Sequence, residues 1–380
     1  MMLLGYGAVF ATSAVFTWLS IWPVRWLAGV VGAVALPGPR RSHGHATPTL
    51  GGSAMVVGFM AAVGVAATVP PFRAVFAAPQ HLAAVVAGAL FIFAVGVIDD
   101  LRELSAGRKL AGQVVGAAIV MLSGVRLGHG HLAVVPSPAT VMLAVTFVWI
   151  VLVTNAINFM DGLDGLAAGI VAITAAALFV YSVHLIASGR LAHANAASLV
   201  AAAAAGACVG FLPHNRYPAT IFMGDCGALF LGLLVATVSL LLADASSTGA
   251  AGFRLGPLAI PSFILGVPLA DTGLAIVRRT RGRISPARAD QDHLHHRLIR
   301  LGHRRPQATL LLCGWTAALS ALALIPVFSG HGPLLLIAAA MGAALNRRRR
   351  RRHPLTPAPQ ASSDGGVSEA QGRTLVGLSR

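Results

Sequence analysis

Eleven apolar runs separated by short polar gaps leave this chain little choice of architecture. They fall near 3–22, 49–70, 80–98, 110–124, 138–155, 164–184, 196–212, 227–243, 257–277, 307–327 and 331–346. Most reach the about 17–25 residues that a helix needs to cross some 30 Å of hydrocarbon. The expected fold is all-α: a polytopic integral membrane protein of about eleven transmembrane helices. The run at 110–124 is short and fits a tilted or broken helix. Residues 1–346 would form the transmembrane domain, and 347–380 a basic and then disordered tail rich in Pro, Gly and Ser.

Composition agrees. Hydrophobic residues make up 56% and charged residues 11% of the 380, against about a quarter charged in soluble domains. A formal charge of +16 would suit nucleic acid, but the basic residues form no surface on a soluble domain, so nucleic acid is not an expected partner. They collect instead in alternate loops. One set carries Arg25, Arg40, Arg41, Arg102, Arg108, Lys109, Arg216, the group from Arg278 to Arg305, and Arg347–Arg352; the other holds Arg73, Arg126, Arg190 and Arg254. That asymmetry predicts a multi-pass membrane protein, N-terminus outside and C-terminus in the cytosol. Cys208, Cys226 and Cys313 follow no disulfide or zinc pattern. The first residues lack a basic n-region and read as the first span.

The acids are placed as selectively as the bases. Ten of the twelve precede the tail. Nine of those stand in or beside the cytosolic gaps: Asp99, Asp100, Glu103, Asp161, Asp164, Asp225, Asp271, Asp290 and Asp292. Asp244 alone falls on the far side. A carboxylate at the edge of hydrocarbon is costly unless wet, paired or bound to a cation. The pattern predicts catalytic loops on the cytosolic face, arranged around a divalent metal.

Several constellations carry that expectation. Asp99 and Asp100 sit side by side where the third span ends, repelling each other and the helix dipole, so a divalent cation or a cationic network would stabilise them better than solvent alone. Asn155, Asn158 and Asp161 recur every three residues and share a side if the helix continues. Asp164, Gly162 and Gly165 extend the row, and such amides and carboxylates suit a nucleotide sugar's hydroxyls and ring edge. Asn215 and Asp225 lie between the seventh and eighth spans, where Asp225 serves equally as a helix cap and as a carboxylate for Mg²⁺. Asp271 is a lone carboxylate in an apolar run. His293, His295, His296 and Arg297 follow. Zinc there would lack cysteine and be repelled by Arg297, so a clamp on phosphate or sugar fits better. His43, near Arg40 and Arg41 and before Pro48-Thr49-Leu50-Gly51-Gly52, and the pair Lys109 and Gln113, fit interfacial turn chemistry as well as a site.

Taken together and in order, these elements resemble the polyprenyl-phosphate N-acetylhexosamine-1-phosphate transferases, from about His43 to Arg297. The resemblance implies a reaction at the cytosolic face of the bacterial inner membrane, needing Mg²⁺ or Mn²⁺. A UDP-N-acetylhexosamine, GlcNAc before others, would give its sugar 1-phosphate to undecaprenyl phosphate and release UMP. His295-His296-Arg297 looks like the branch using simple UDP-sugars. Leu50 and Thr220 stand at or near places where the family usually has basic residues, and Cys226 where Ser or Thr is common; these departures bear on the sugar more than on the chemistry. Related enzymes raise the expectation of a homodimer.

Roles follow from phosphoryl-transfer chemistry, in which neutralising charge is the main task. Asp225 would hold the metal, with Asp100 as a second metal or phosphate-network residue, Asp99 would act as base or organise the lipid phosphate, and Lys109 would be their cationic partner. Asn155, Asn158, Asp161 and Asp164 would hold the nucleotide. His293, His295, His296 and Arg297 would contact the sugar or diphosphate, and His43, Asn215 and Asp271 would also bind substrate. One-step and two-step mechanisms both stay open. A phospho-MurNAc-pentapeptide transferase and a cation-coupled transporter are the alternatives.

Overall fold

A computed structural model describes residues 1–35, 46–127, 130–132, 135–137, 139–247, 258–281 and 292–329. Its helices run in order from α1 (Met2–Val30) through α2 (Gly51–Thr68), α3 (Arg73–Ala77), α4 (Gln80–Arg102) and α5 (Ala106–Leu122). Then come α6 (Ala139–Met160), α7 (Leu166–Ala187), α8 (Ala196–Asn215) and α9 (Gly224–Ser247). α10 (Ala259–Ile264), α11 (Gly266–Arg281), α12 (Leu294–Arg300) and α13 (Arg305–Ser329) complete the series. Two short antiparallel pairs interrupt it: β1 (Val34–Ala35) against β2 (Thr47–Pro48), in register Val34 to Pro48, and β3 (Gly130–Leu132) against β4 (Val135–Ser137).

Eight of these helices are long and apolar enough to cross a membrane: α1, α2, α4, α6, α7, α8, α9 and α13. The chain is a largely α-helical, polytopic membrane protein. The expected eleven runs differ from this at three places. The fourth becomes α5, 17 residues long, starting earlier than expected and carrying Arg108 and Lys109 in its first turn. The ninth is split into α10 and α11. Pro268 explains the break, because a proline ring collides with the carbonyl four residues back in a continuing helix, here Ile264, where α10 stops. The eleventh run, with the tail, lies outside the described residues.

α9 is the axis of the bundle. Its apolar window is 94% buried, against 28% for α1 and α13. Large apolar side chains such as Leu4, Phe16, Trp22 and Trp26 stand exposed along α1, as a lipid-facing helix requires. Inside the bundle Trp149 of α6 donates its indole N–H to Ser239 of α9 at 2.8 Å.

The first turn of α9 is held between α2 and α4 at backbone distance. A Cβ on Gly52 would lie 2.2 Å from the Gly227 nitrogen, and one on Gly96 2.3 Å from the Cys226 Cα. Small residues are what let membrane helices approach so closely. The backbone adds a lock. Gly51 and Gly52 donate their N–H groups to the carbonyls of Phe222 (3.0 Å) and Met223 (2.8 Å), while Phe222 N–H donates to Pro48 O at 2.9 Å. Two of the orphan donors at the start of α2 are thereby satisfied by the segment that leads into α9.

This packing predicts a sharp contrast between two alanines. Gly96→Ala meets backbone atoms that cannot rotate away, so it should cost about 1–3 kcal/mol or more. Gly107→Ala, with nothing within 4 Å of its new methyl, should be neutral or stabilising. Thermal melts in detergent would read both, and equal melting temperatures would refute the close packing.

Candidate active site

The site is built where helix ends meet. α4 stops at Arg102 because Glu103 takes a left-handed conformation, φ 45°, and its N–H closes onto Asp99 O at 2.9 Å. Leu104 N–H then folds back onto Asp99 Oδ1 at 2.7 Å. The turn delivers α5 so that Lys109 lies in its first turns. The Lys109 ammonium pairs with Asp99 Oδ2 and bonds Asp225 Oδ2 at 2.6 Å. Asn158, near the end of α6, donates its amide to Asp225 Oδ1 at 2.5 Å. Asp100 turns to the backbone instead, accepting the N–H groups of Asp225 (2.8 Å) and Cys226 (3.1 Å). Four helices thus contribute to one cluster: Asp99 and Asp100 from α4, Lys109 from α5, Asn158 from α6 and Asp225 from α9.

Asp161, the first residue past α6, stands at the edge of this cluster. Its carboxyl is pushed up to about 8, by burial first and then by the negative charges of Asp225, Asp100 and Asp164. One ammonium between Asp99 and Asp225 therefore leaves a surplus of negative potential beside it. Other expected ligand residues are engaged within the fold. Asn155 exchanges side-chain hydrogen bonds with Gln113 of α5 and donates to Val151 O at 2.8 Å. Asn215 accepts from Gly165 N–H and donates to Ile221 O, both at 3.0 Å. Asp164 accepts from Ala219 N–H at 3.0 Å. Asn155 thus joins α6 to α5, Asn215 and Asp164 brace the loops, and Asn158 is the amide that reaches the acids.

A second group gathers at α12. Asp271 of α11 is wholly buried and accepts from His293 Nδ1 at 2.6 Å and from Leu294 N–H at 2.7 Å, so it caps α12. His295 is 1% exposed and stacks beside His293 and His296, with ring centroids 5.8 and 4.1 Å away. A Cβ on Gly162 would lie 2.3 Å from His295 Nε2, so the glycine makes room for the imidazole on the Asp161–Gly162 turn. Neither ring nitrogen of His295 has a hydrogen-bond partner among the described residues. Burial, then the nearby His296 and His293, lower its pKa to about 3. The ring is neutral near pH 7 and offers one donor and one acceptor to a hydroxyl or an amide.

Arg297 is turned away from that group and tied to Asp292, with Nη2 at 2.6 Å and Nε at 3.2 Å. Asp292 also meets Arg300 and, at 3.5 Å, Arg278 of α11. The Arg297 hydrogen bonds, partly opposed by burial and helped by Arg300, hold its carboxyl down to about 2. His43 and Asp290 lie outside the described residues. Sequence reasoning passed over Phe159, which sits 5.3 Å from His293 ring to ring and carries the Arg279 guanidinium 6.0 Å above its own. Its place beside Asn158 was the available signal. Arg278 and Arg279 were hidden among loop charges that looked like orientation signals.

Among the described residues no group of three or more His, Cys, Asp or Glu forms a ready metal cage. The donor chemistry nevertheless fits Mg²⁺ or Mn²⁺. Mg²⁺ is commonly held by one or two carboxylates, with water and substrate phosphates completing its shell. Asp225 offers such an edge, its side chain 31% exposed, beside the surplus charge around Asp161. Asp99 is more enclosed, its side chain 5% exposed, with Leu104 N–H on one oxygen and Lys109 on the other.

Fold and site define a class: a polytopic membrane protein whose helix ends assemble an acid, ammonium and amide cluster suited to phosphate chemistry. The chain belongs to glycosyl transferase family 4, whose model matches residues 82–243. It is 38% identical over 334 residues to the decaprenyl-phosphate N-acetylglucosaminephosphotransferase of Mycolicibacterium smegmatis, covering 84% of this chain and 82% of that one. It is 34% identical over 306 residues to the probable undecaprenyl-phosphate N-acetylglucosaminyl 1-phosphate transferase of Bacillus subtilis, covering 79% and 80%. The phospho-N-acetylmuramoyl-pentapeptide-transferase of M. smegmatis is 36% identical over 242 residues, 53% of this chain and 65% of that one.

The raised Asp161 carboxyl carries a pH signature. The native state keeps its proton up to about pH 8, whereas an unfolded aspartate loses it near about 4. Between those limits the native state binds more protons, so the stability of the metal-free protein should fall as pH rises. Asp161→Asn cannot ionise and should flatten that slope. Melting curves across the range, taken with chelator present, would test this; parallel slopes for both proteins would refute it.

Proposed function

We propose that the protein transfers an N-acetylhexosamine 1-phosphate, GlcNAc 1-phosphate foremost, from a UDP-sugar to undecaprenyl phosphate and releases UMP. The observation that carries this is the Lys109 ammonium between Asp99 and Asp225, with Asn158 donating to the other oxygen of Asp225. The two relatives that align with most of this chain, both named as transferases of N-acetylglucosamine phosphate to a polyprenyl phosphate, support the substrate class. The distribution of basic loops supports a cytosolic cluster, with the N-terminus outside and about eleven crossings in all.

The chemistry is a displacement at the donor's β-phosphorus. An oxygen of the lipid phosphate forms the new P–O bond, the bond to the UMP oxygen breaks, and UMP leaves with the electron pair. Two anions must approach, so charge is the main obstacle. Lys109 offers its ammonium to the reacting phosphates. The lipid phosphate is largely ionised at neutral pH and needs little help from a base. Asp99, with both oxygens engaged, holds Lys109 in place better than it would remove a proton. Mg²⁺ or Mn²⁺ held by Asp225 would neutralise the pyrophosphate as charge moves onto the leaving oxygen. Asn158 aims Asp225, and the neutral rings at His295 and His296, with His295 against the Gly162 turn that follows Asp161, suit the hydroxyls and amide of a nucleotide sugar.

Purified protein given UDP-GlcNAc, undecaprenyl phosphate and Mg²⁺ should yield a polyprenyl-pyrophosphoryl sugar and UMP. Decaprenyl phosphate and UDP-GalNAc, in parallel, would rank acceptor and donor. Asp225→Ala should fold and melt as the parent does, yet lose turnover by about a hundredfold or more. Near-normal turnover in that variant would break the assignment of Asp225. Failure with every UDP-N-acetylhexosamine, alongside turnover of UDP-MurNAc-pentapeptide, would move the protein to the other branch of the family.

A further inference from the structure

We infer that Asp100 is a positioning residue that docks the first turn of α9 and so aims Asp225, and that it is not itself a ligand for the cation. The inference rests on the reading of Asp225 given above. Adjacent acids have divided tasks on α4. Asp99 faces the Lys109 ammonium, whereas Asp100 faces backbone. Its two oxygens take one N–H each, from Asp225 at 2.8 Å and from Cys226 at 3.1 Å. The start of a helix leaves such donors without partners, and a carboxylate there also meets the positive end of the dipole.

The surroundings are shaped for this contact. Gly224, directly before Asp225, has φ 73°, and a Cβ on it would lie 2.5 Å from Asp100 Oδ2. No side chain fits between the carboxylate and the turn. One helical turn before Asp100 on the same face of α4, Gly96 lets the Cys226 Cα approach. Gly96 thus makes the space and Asp100 supplies the acceptors. An asparagine at 100 would keep one acceptor but turn an amide N–H₂ toward the second backbone N–H, donor against donor. A carboxylate is required here by geometry, without any appeal to metal binding.

Cys226 reports on this turn directly, since it is fully buried and its N–H is one of the two held. The test uses full-length protein in chelator-treated detergent. Asp100→Ala and Asp100→Asn are alkylated with a small maleimide, and each modified cysteine is assigned by peptide mass. Cys226 should react about tenfold faster than in the parent, the shift in local opening that loss of an ordinary helix cap produces. Cys208, buried in the middle of α8, should stay protected. Mn²⁺ titration followed by electron paramagnetic resonance should still find one site in both variants, weakened about 10–100-fold as for a residue behind the ligand.

Parent-rate labelling of Cys226 would overturn the inference, and so would complete loss of Mn²⁺ binding with Cys226 still protected, the result for a direct ligand. Joint exposure of Cys226 and Cys208 would also overturn it, by making Asp100 a determinant of the whole fold. Parent-like Mn²⁺ binding by Asp225→Ala would instead refute the reading of Asp225 and leave the labelling result standing.

Discussion

The arrangement of Asp99, Lys109 and Asp225 decides how the ends of three helices can sit. A carboxylate or an ammonium enclosed by apolar helices carries a large desolvation penalty unless a partner offsets it. Here one ammonium serves two carboxylates of unequal exposure. The Asp99 side chain is 5% exposed and that of Asp225 31%. The enclosed contact fixes Lys109 to the turn after α4, and the open one presents Asp225 toward whatever enters. Removing Lys109 would leave two like charges facing each other, so the position of α5 is not adjustable once α4 and α9 have met.

That meeting depends on side chains that are missing. Gly52 and Gly96 bring α2 and α4 to within backbone distance of the first turn of α9, close enough for Asp100 to reach its N–H groups. The second group obeys a different rule. α12 has only seven residues, far fewer than an isolated helix needs for stability. Its place is set by two acids: Asp271, buried beneath its first turn, and Asp292, which gathers Arg278, Arg297 and Arg300. Those contacts hold His295 against the Gly162 turn, which is how the far end of the site acquires a fixed wall.

Much of this was legible in the residues alone. The apolar runs anticipated the long helices, because length and hydropathy are local properties, and eight helices reach membrane-spanning length where those runs predicted them. Asp99, Asp100, Lys109, Asn158 and Asp225 were all singled out, and they meet. The division of work among them was not readable, since it depends on which atom faces which. Asn155 looked like a ligand by its spacing with Asn158, yet one turn deeper it finds Gln113 instead. Asp271 and His293 stood apart on the page as two candidates and turn out to be partners. The break at Leu265 was signalled by Pro268, but hydropathy averaged across it.

Polar capacity left unspent by the fold marks where a ligand belongs. Asn155, Asn215, Asp164 and Arg297 have their side chains engaged by neighbours. Beside them stand the partly exposed Asp225, the proton-holding carboxyl of Asp161 and, without hydrogen-bond partners among the described residues, both ring nitrogens of His295 and Nδ1 of His296. They come from three separate segments: Asp161 follows α6, Asp225 opens α9, and His295 lies on α12 against the Gly162 turn. Their chemistry differs from one segment to the next. Ammonium and carboxylates at one end suit phosphates with a cation, whereas neutral imidazoles at the other suit hydroxyls and amides. A ligand charged at one end and polar but neutral at the other would match that gradient in a single orientation. A sugar joined to a nucleotide through a pyrophosphate has such a distribution, and a free inorganic ion does not.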